Sequence, residues 1–142
     1  MPVVTFHLTE GYFTDEQAKR LLVSAANLYA EVLDAPMERI RAFVTPHAPT
    51  HCLVAGQLVS EGRQHAPYFE FIVLDGRPLS QRQRLMAGFT ELAASILGVE
   101  PAVIRGQCIR VRPEEWGIGG VPASVLRETE IQKRKDEAAA GS

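Results

Sequence analysis

Two prolines hold equivalent places in this sequence, and only one of them can become a base. Counting ten residues back from Tyr12 reaches Pro2, and ten back from Arg77 reaches Pro67. The nitrogen of Pro67 is locked in a tertiary amide, with no proton and no basic lone pair. Pro2 follows Met1 and is expected to present a secondary amine once that methionine is removed. No other residue type supplies a secondary amine at physiological pH. An α-amino group titrates at roughly 7.7 to 8.0, and an apolar pocket or nearby cations disfavour its protonated form, so a neutral base at pH 7 is attainable. Such a base can take a proton from beside a carbonyl and return it elsewhere. The plainer readings are a small residue that permits methionine removal at Pro2 and a strand-entry proline at Pro67.

The elements that must position these residues are written twice. Val3 to Thr9 is rich in β-branched and aromatic residues and ends at Glu10-Gly11, which predicts a strand and a tight turn. Thr14-Asp15-Glu16-Gln17 predicts a capping box, and Ala18, Leu21, Leu22, Ala25, Leu28, Tyr29, Val32 and Leu33 form one helical stripe ending near Asp34 to Pro36. A second strand is expected over Arg39 to Thr45, ended by Pro46 and Pro49. From Thr50 to Ala66 there is room for a short hairpin, without a firm assignment. The pattern then restarts: Tyr68 to Leu74 as a strand, Asp75-Gly76 as a turn, and Ser80-Gln81-Arg82-Gln83 as a second capping box. Leu85, Met86, Phe89, Leu92, Ala93, Ile96 and Leu97 form the second stripe, Gly98 and Pro101 close it, and Val103 to Val111 reads as the fourth strand before the turn Trp116-Gly117-Ile118-Gly119-Gly120.

The offset between the halves is about 65 residues. Strand-helix-strand units of this length pair in parallel with a right-handed crossover. Two in tandem predict an α/β fold with a four-stranded sheet and two helices on one face. The other face also carries apolar residues, so burial against further copies of the chain is expected. The single domain is expected over residues 1–127, in repeats of about 1–62 and 66–127. Residues 128–142 are expected to be a charged C-terminal tail, a frayed helix or flexible.

Composition excludes several function classes. The 142 residues are 23% charged and 46% hydrophobic with a net charge of -2, the profile of a globular domain and not of disorder or of a nucleic-acid partner. The longest apolar runs are far too short to span a bilayer. Met1-Pro2 opens without a basic stretch and apolar core, so no signal peptide is expected. Cys52 and Cys108 lie in no metal-binding or redox pattern and read as buried thiols, and His7, His51 and His65 show no metal spacing. A reduced cytoplasmic protein is the economical reading.

The stretches Pro2-Val3-Val4-Thr5-Phe6-His7-Leu8-Thr9-Glu10-Gly11, Asp15-Glu16-Gln17 and Trp116-Gly117-Ile118-Gly119-Gly120-Val121-Pro122-Ala123-Ser124 resemble 4-oxalocrotonate tautomerase and its relatives. The tandem arrangement resembles the longer members of the superfamily, such as malonate semialdehyde decarboxylase, the chloroacrylate dehalogenases and macrophage migration inhibitory factor. The resemblance covers roughly residues 2 to 127. It implies the tautomerase, or migration-inhibitory-factor-like, fold, a homotrimer, no cofactor and no metal.

The resemblance also distributes roles. It implies Pro2 as the catalytic base. Two arginines of the family bind substrate carboxylates, and one of them polarises the carbonyl oxygen. The first matches Arg77 but is replaced by Tyr12 in the first half. The second matches Arg105 and, in the first half, Arg41. Trp116 matches the family's aromatic before the glycine turn. Arg77 and Arg105 are thus expected to face Pro2, and Arg41 to border Pro67. A guanidinium suits the task because it stays charged and grips a carboxylate with two hydrogen bonds. Arg41, Arg105, Arg110 and Arg112 can also be read as solvated strand residues or subunit-interface ion pairs.

Glu38 lies about where the decarboxylase has an aspartate and is the candidate acid, with Glu114 and Glu115 as further ones; each reads more readily as an exposed residue. His47, in Thr45-Pro46-His47, is similar to a segment of the decarboxylase and is otherwise a loop histidine. The expected activity is keto-enol tautomerisation of a small α-keto or dienol carboxylate. The rivals are a hydratase, dehalogenase or decarboxylase with Pro2 protonated, and a non-catalytic trimeric binding module.

Overall fold

The computed structural model describes residues 2–141. The expected removal of Met1 concerns a residue outside them. Strand β1 (Val3–Thr9) turns Val4, Phe6 and Leu8 inward, all buried, and leaves Val3, Thr5 and His7 half-buried on the other face. Helix α1 (Asp15–Leu33) starts at the expected box: the Thr14 hydroxyl accepts from the Gln17 N–H at 3.1 Å, and the Gln17 side chain accepts from the Thr14 N–H at 2.9 Å. Asp34 ends it in the left-handed conformation. After a single 3-10 turn, Met37–Arg39, strand β2 (Arg41–His47) runs parallel to β1. The strand starts later than expected and includes Pro46, which pairs with Leu8. Pro46 is tolerated because β2 is an edge strand and no neighbour needs its missing N–H.

The connection to the second half holds a hairpin of β3 (Leu53–Val54) and β4 (Gln57–Leu58). The second unit follows as β5 (Tyr68–Leu74), α2 (Leu79–Leu97) and β6 (Arg105–Val111), again preceded by a 3-10 turn, Pro101–Val103. Its helix departs from the second expected capping box. Pro78, not Ser80, is the N-cap residue, and no side chain caps the helix. The fixed φ of Pro78 sets the helix start two positions earlier, which puts Ser80 inside the helix and out of reach of the orphan N–H groups.

The sheet order is β2-β1-β5-β6, with β1 antiparallel to β5 and each outer pair parallel. The pairing Phe6↔Phe69 and Thr5↔Glu70 relates the two units by an approximate two-fold axis through the sheet centre. Pro2 and Pro67 therefore lie at opposite ends. Both helices cover one face, where Phe6, Tyr29, Phe69, Phe71 and Phe89 are fully buried and meet mostly edge to face. The Tyr29 hydroxyl donates to the carbonyl of Ile72 at 2.6 Å and lies 3.1 Å from that of Val3, which ties α1 to the central strand pair. Burial pushes this phenol well above its usual range. Gly106 in β6 has no room for a side chain: a Cβ there would stand 2.2 Å from the Phe69 ring.

The opposite face leaves Phe43 52% exposed. A last hairpin joins β7 (Gly117–Ile118) to β8 (Val121–Pro122), and then α3 (Ala123–Leu126) and α4 (Glu128–Ala140) carry the chain back over the first unit. The tail read from sequence as frayed or flexible is thus helical over Glu128–Ala140. No helix among the described residues is long and apolar enough to cross a membrane.

Candidate active site

Pro2 is buried at the start of β1, and its carbonyl accepts from the Arg41 N–H at 3.0 Å. It lines a narrow cavity of about 20 Å³ together with Leu33, Arg39, Arg77, Arg127, Glu130 and Arg134. A volume of this size holds roughly one water. Five of those residues, Leu33, Arg39, Arg77, Glu130 and Arg134, also line a wider cleft of about 730 Å³ between the turns at Asp34–Pro36 and Gly76–Pro78 and the face of α4. The cleft adjoins the cavity through these shared residues, and α4 forms one wall of it.

Arg77 follows the tight turn after β5, so the end of the central strand aims it back at the start of β1. Its Nη1 donates to the Leu33 carbonyl at 2.9 Å. Burial pushes its guanidinium down to about 10, helped by the positive charges of Arg134 and Arg39 and opposed by Glu130 and Asp34, so it stays charged at neutral pH. Arg39 holds Glu130 with both prongs: Nη2 donates to Oε1 and Nη1 to Oε2, each at 3.0 Å. Those hydrogen bonds keep the Glu130 carboxyl below the usual range against the cost of its partial burial. Burial likewise lowers Arg134.

The other expected residues are distributed between the two ends. Arg41 opens β2 beside Pro2, but its guanidinium is exposed and turns back to the carbonyls of Glu38, at 3.0 Å, and Ile40. Arg105 is its counterpart in the second unit. Its N–H bonds the Pro67 carbonyl at 3.2 Å, and its guanidinium donates to the Ala102 carbonyl at 2.7 Å. Within one chain, therefore, Arg41 neighbours Pro2 and Arg105 neighbours Pro67, the reverse of the distribution expected from sequence. The two-fold relation of the units is the reason: each arginine begins the strand parallel to its own proline's strand. Tyr12 also belongs to the Pro67 end, where its ring lies 4.7 Å from that of His65. Trp116 is half-buried at the start of the last hairpin, away from the Pro2 cavity, and Glu38 is exposed in the 3-10 turn and lines neither cavity nor cleft.

Beside the Pro67 end, His7, His47, His51, Cys52 and Tyr68 border a separate pocket of about 270 Å³. His7 Nδ1 and His47 Nε2 share a hydrogen bond of 2.9 Å, and Glu70 lies 3.4 Å from His7 Nε2. No group of three or more His, Cys, Asp or Glu among the described residues is arranged to hold a metal ion.

The sequence reading missed Arg39, Arg127, Glu130 and Arg134. One signal was present: Arg127, Glu130, Ile131 and Arg134 repeat at three- and four-residue spacing, and these are the residues of the C-terminal segment that are half-buried while their neighbours are exposed.

Comparisons with known proteins place the fold beside solved relatives. The family model described as "Tautomerase enzyme" matches residues 2–62. A 2-hydroxymuconate tautomerase of Pseudomonas sp. (strain CF600) is 34% identical over 64 residues, which is 45% of this chain and 100% of that protein. Among solved structures, a native fused 4-OT superposes with a TM-score of 0.82 at 25% identity, over 88% of this chain and 98% of that one. A second fused 4-OT, described as a symmetric trimer, has a TM-score of 0.79 at 18% identity, over 87% of this chain and 98% of that one.

Proposed function

This chain belongs to the tautomerase family, and from that premise we propose that it is a cofactor-independent keto-enol tautomerase of a small α-keto or dienol carboxylate, with the Pro2 amine as general base. The observation that carries the reading is the burial of Pro2 in a cavity ringed by Arg39, Arg77, Arg127 and Arg134. Desolvation and neighbouring cations both destabilise a protonated amine, which favours the neutral, basic form at pH 7. Pro2 would take the enol hydroxyl proton and deliver it to carbon, while a guanidinium stabilises the oxygen that gains negative charge in between.

Arg77 is the cation best placed for that task, since it shares the cavity with Pro2 and remains charged. Arg105, exposed at the start of the edge strand β6, would join the site from a neighbouring copy in a homotrimer, and Trp116 of a neighbouring copy would help to exclude water. The exposed Phe43 face of the sheet and the trimeric assembly named for a fused 4-OT support that assembly. Two free thiols, Cys52 and Cys108, suit a reduced cytoplasmic setting.

Hydration, dehalogenation or decarboxylation on the same scaffold asks for a carboxyl group working beside the proline. Glu38 lies outside the cavity, and Glu130, inside it, is kept ionised by Arg39 and is a poor proton donor. The test is the enol-keto conversion of phenylpyruvate. Pro2→Ala should lower kcat/KM by about 10²-fold or more, the scale of general base catalysis. A variant as fast as the wild type would favour a non-catalytic binding module.

A further inference from the structure

Where α4 crosses the Pro2 cavity, four guanidinium groups converge on one carboxylate. Arg39 comes from the turn before β2, Arg77 from the turn after β5, and Arg127 and Arg134 from the C-terminal segment. Glu130 is the sole acid lining the cavity among the described residues. Both its oxygens are held by Arg39 at 3.0 Å, and Arg134 Nη2 is 4.0 Å away. The Nε of Arg127 is buried with no hydrogen-bond partner among the described residues. The cluster therefore carries more positive charge than Glu130 neutralises, and one of its donors is unsatisfied. Two parallel N–H···O bonds onto a carboxylate are also the geometry by which an arginine receives a free organic acid.

Size makes the arrangement informative. With Glu130 in place the cavity beside Pro2 measures about 20 Å³, against roughly 300 Å³ or more for pockets that enclose small ligands. No organic acid fits next to Pro2 until Glu130 leaves, yet the cleft outside it is roomy, about 730 Å³. We propose that Arg39, Arg127 and Arg134 form an anion subsite beside Pro2, that the Glu130 carboxylate occupies it as a built-in stand-in, and that the carboxylate of a small organic acid binds by displacing Glu130 and shifting α4. The name substrate for that acid rests on the reading of the Pro2 cavity as the active site; the exchange of one carboxylate for another does not.

The probe is fumarate, a dicarboxylate with no enol to convert, titrated into the full chain by calorimetry. Glu130→Gln should bind fumarate about tenfold more tightly than the wild type, because the competing charge-assisted pair is gone. Glu137→Gln removes an acid on the same helix that lines only the outer cleft, and should change binding less than twofold. Equal tightening by both variants would reduce the effect to bulk charge and overturn the subsite, as would unchanged or weaker binding to Glu130→Gln. Inorganic phosphate run in parallel should bind more weakly than fumarate; a preference for phosphate overturns the assignment of a carboxylate ligand.

A second measurement needs no variant. Amide hydrogen exchange across 128–140 of the wild type should speed up at saturating fumarate, and slowed or unchanged exchange contradicts displacement. These readouts separate from the tautomerase reading. Pro2→Ala with full activity would remove that reading and leave the binding data standing, whereas an inactive Pro2→Ala beside a Glu130→Gln that binds no tighter would remove only the subsite.

Discussion

Pro2 and Pro67 occupy the same place in the two halves of the chain: each is buried at the entry of a central strand, and each gives its carbonyl to the N–H of the arginine that opens the neighbouring strand, Arg41 at 3.0 Å and Arg105 at 3.2 Å. The scaffold treats them alike. Chemistry separates them, since only Pro2 is expected to end in a free amine. The surroundings separate them further, because the position after the next tight turn is Arg77 at one end and Tyr12 at the other.

Pro67→Ala should accordingly leave kcat/KM for phenylpyruvate within about twofold of the wild type. Its stability should fall by no more than about 1 kcal/mol, the scale of the lost restriction on the unfolded chain. Parallel kinetics and urea unfolding check both numbers. A loss of activity as large as that expected for Pro2→Ala would mean that the Pro67 end takes part in catalysis.

Arg77 links activity to alkaline pH. Its guanidinium lies at about 10 in the folded chain, below its ordinary value, so the charge proposed to grip a carboxylate is present at neutral pH and is lost as the pH climbs through that region. Because the folded value is the depressed one, burial of this charge costs stability below pH 10, and the cost is relieved above it. The alkaline fall in kcat/KM should therefore appear while circular dichroism still reports a folded chain. Arg77→Gln should lack that limb and lose about 10²-fold in kcat/KM at pH 7.

Gly106 tests the packing of the second parallel pair. A methyl group there meets the fully buried Phe69 ring, and overpacking of this kind costs about 1 to 3 kcal/mol. Urea unfolding of Gly106→Ala should show that loss, and Phe69→Leu in the same chain should recover part of it by making room.

The two helix starts make a matched pair. Thr14→Ala removes a hydroxyl that accepts from the Gln17 N–H and should cost about 1 kcal/mol. Ser80→Ala, at the position that reads the same way in sequence, should cost less than about 0.5 kcal/mol because Pro78 caps that helix without a side-chain bond. Thermal or urea unfolding of both variants distinguishes a working box from a nominal one.

That contrast shows what the sequence could tell. Alternation in Val3 to Thr9 and Tyr68 to Leu74, the helical stripes and the box at Thr14 are local signals, and each of these elements lies where its own residues place it. The box at Ser80 misled because a proline two positions earlier competes for the helix start, and Pro46 misled because edge position, a property of the sheet, decides whether a strand tolerates it. The Pro2 end was harder still. Arg39 and Glu130 are 91 residues apart, and their pairing follows only from the path of α4 over the first unit. A charged, alanine-rich tail reads as solvated until something shows where it docks. The two-fold relation of the units, which puts Arg41 at Pro2 and Arg105 at Pro67, likewise comes from the antiparallel joining of β1 to β5, which no single repeat encodes.

The central claim is that Pro2 is a basic amine at neutral pH, and the most direct measurement is the titration of the chain labelled with nitrogen-15 proline, followed by NMR. Of the nine prolines, one nitrogen should titrate, with a pKa below the ordinary α-amino range of roughly 7.7 to 8.0 because of its buried, cation-lined cavity. No titrating prolyl nitrogen, or one that titrates above that range, would contradict the account.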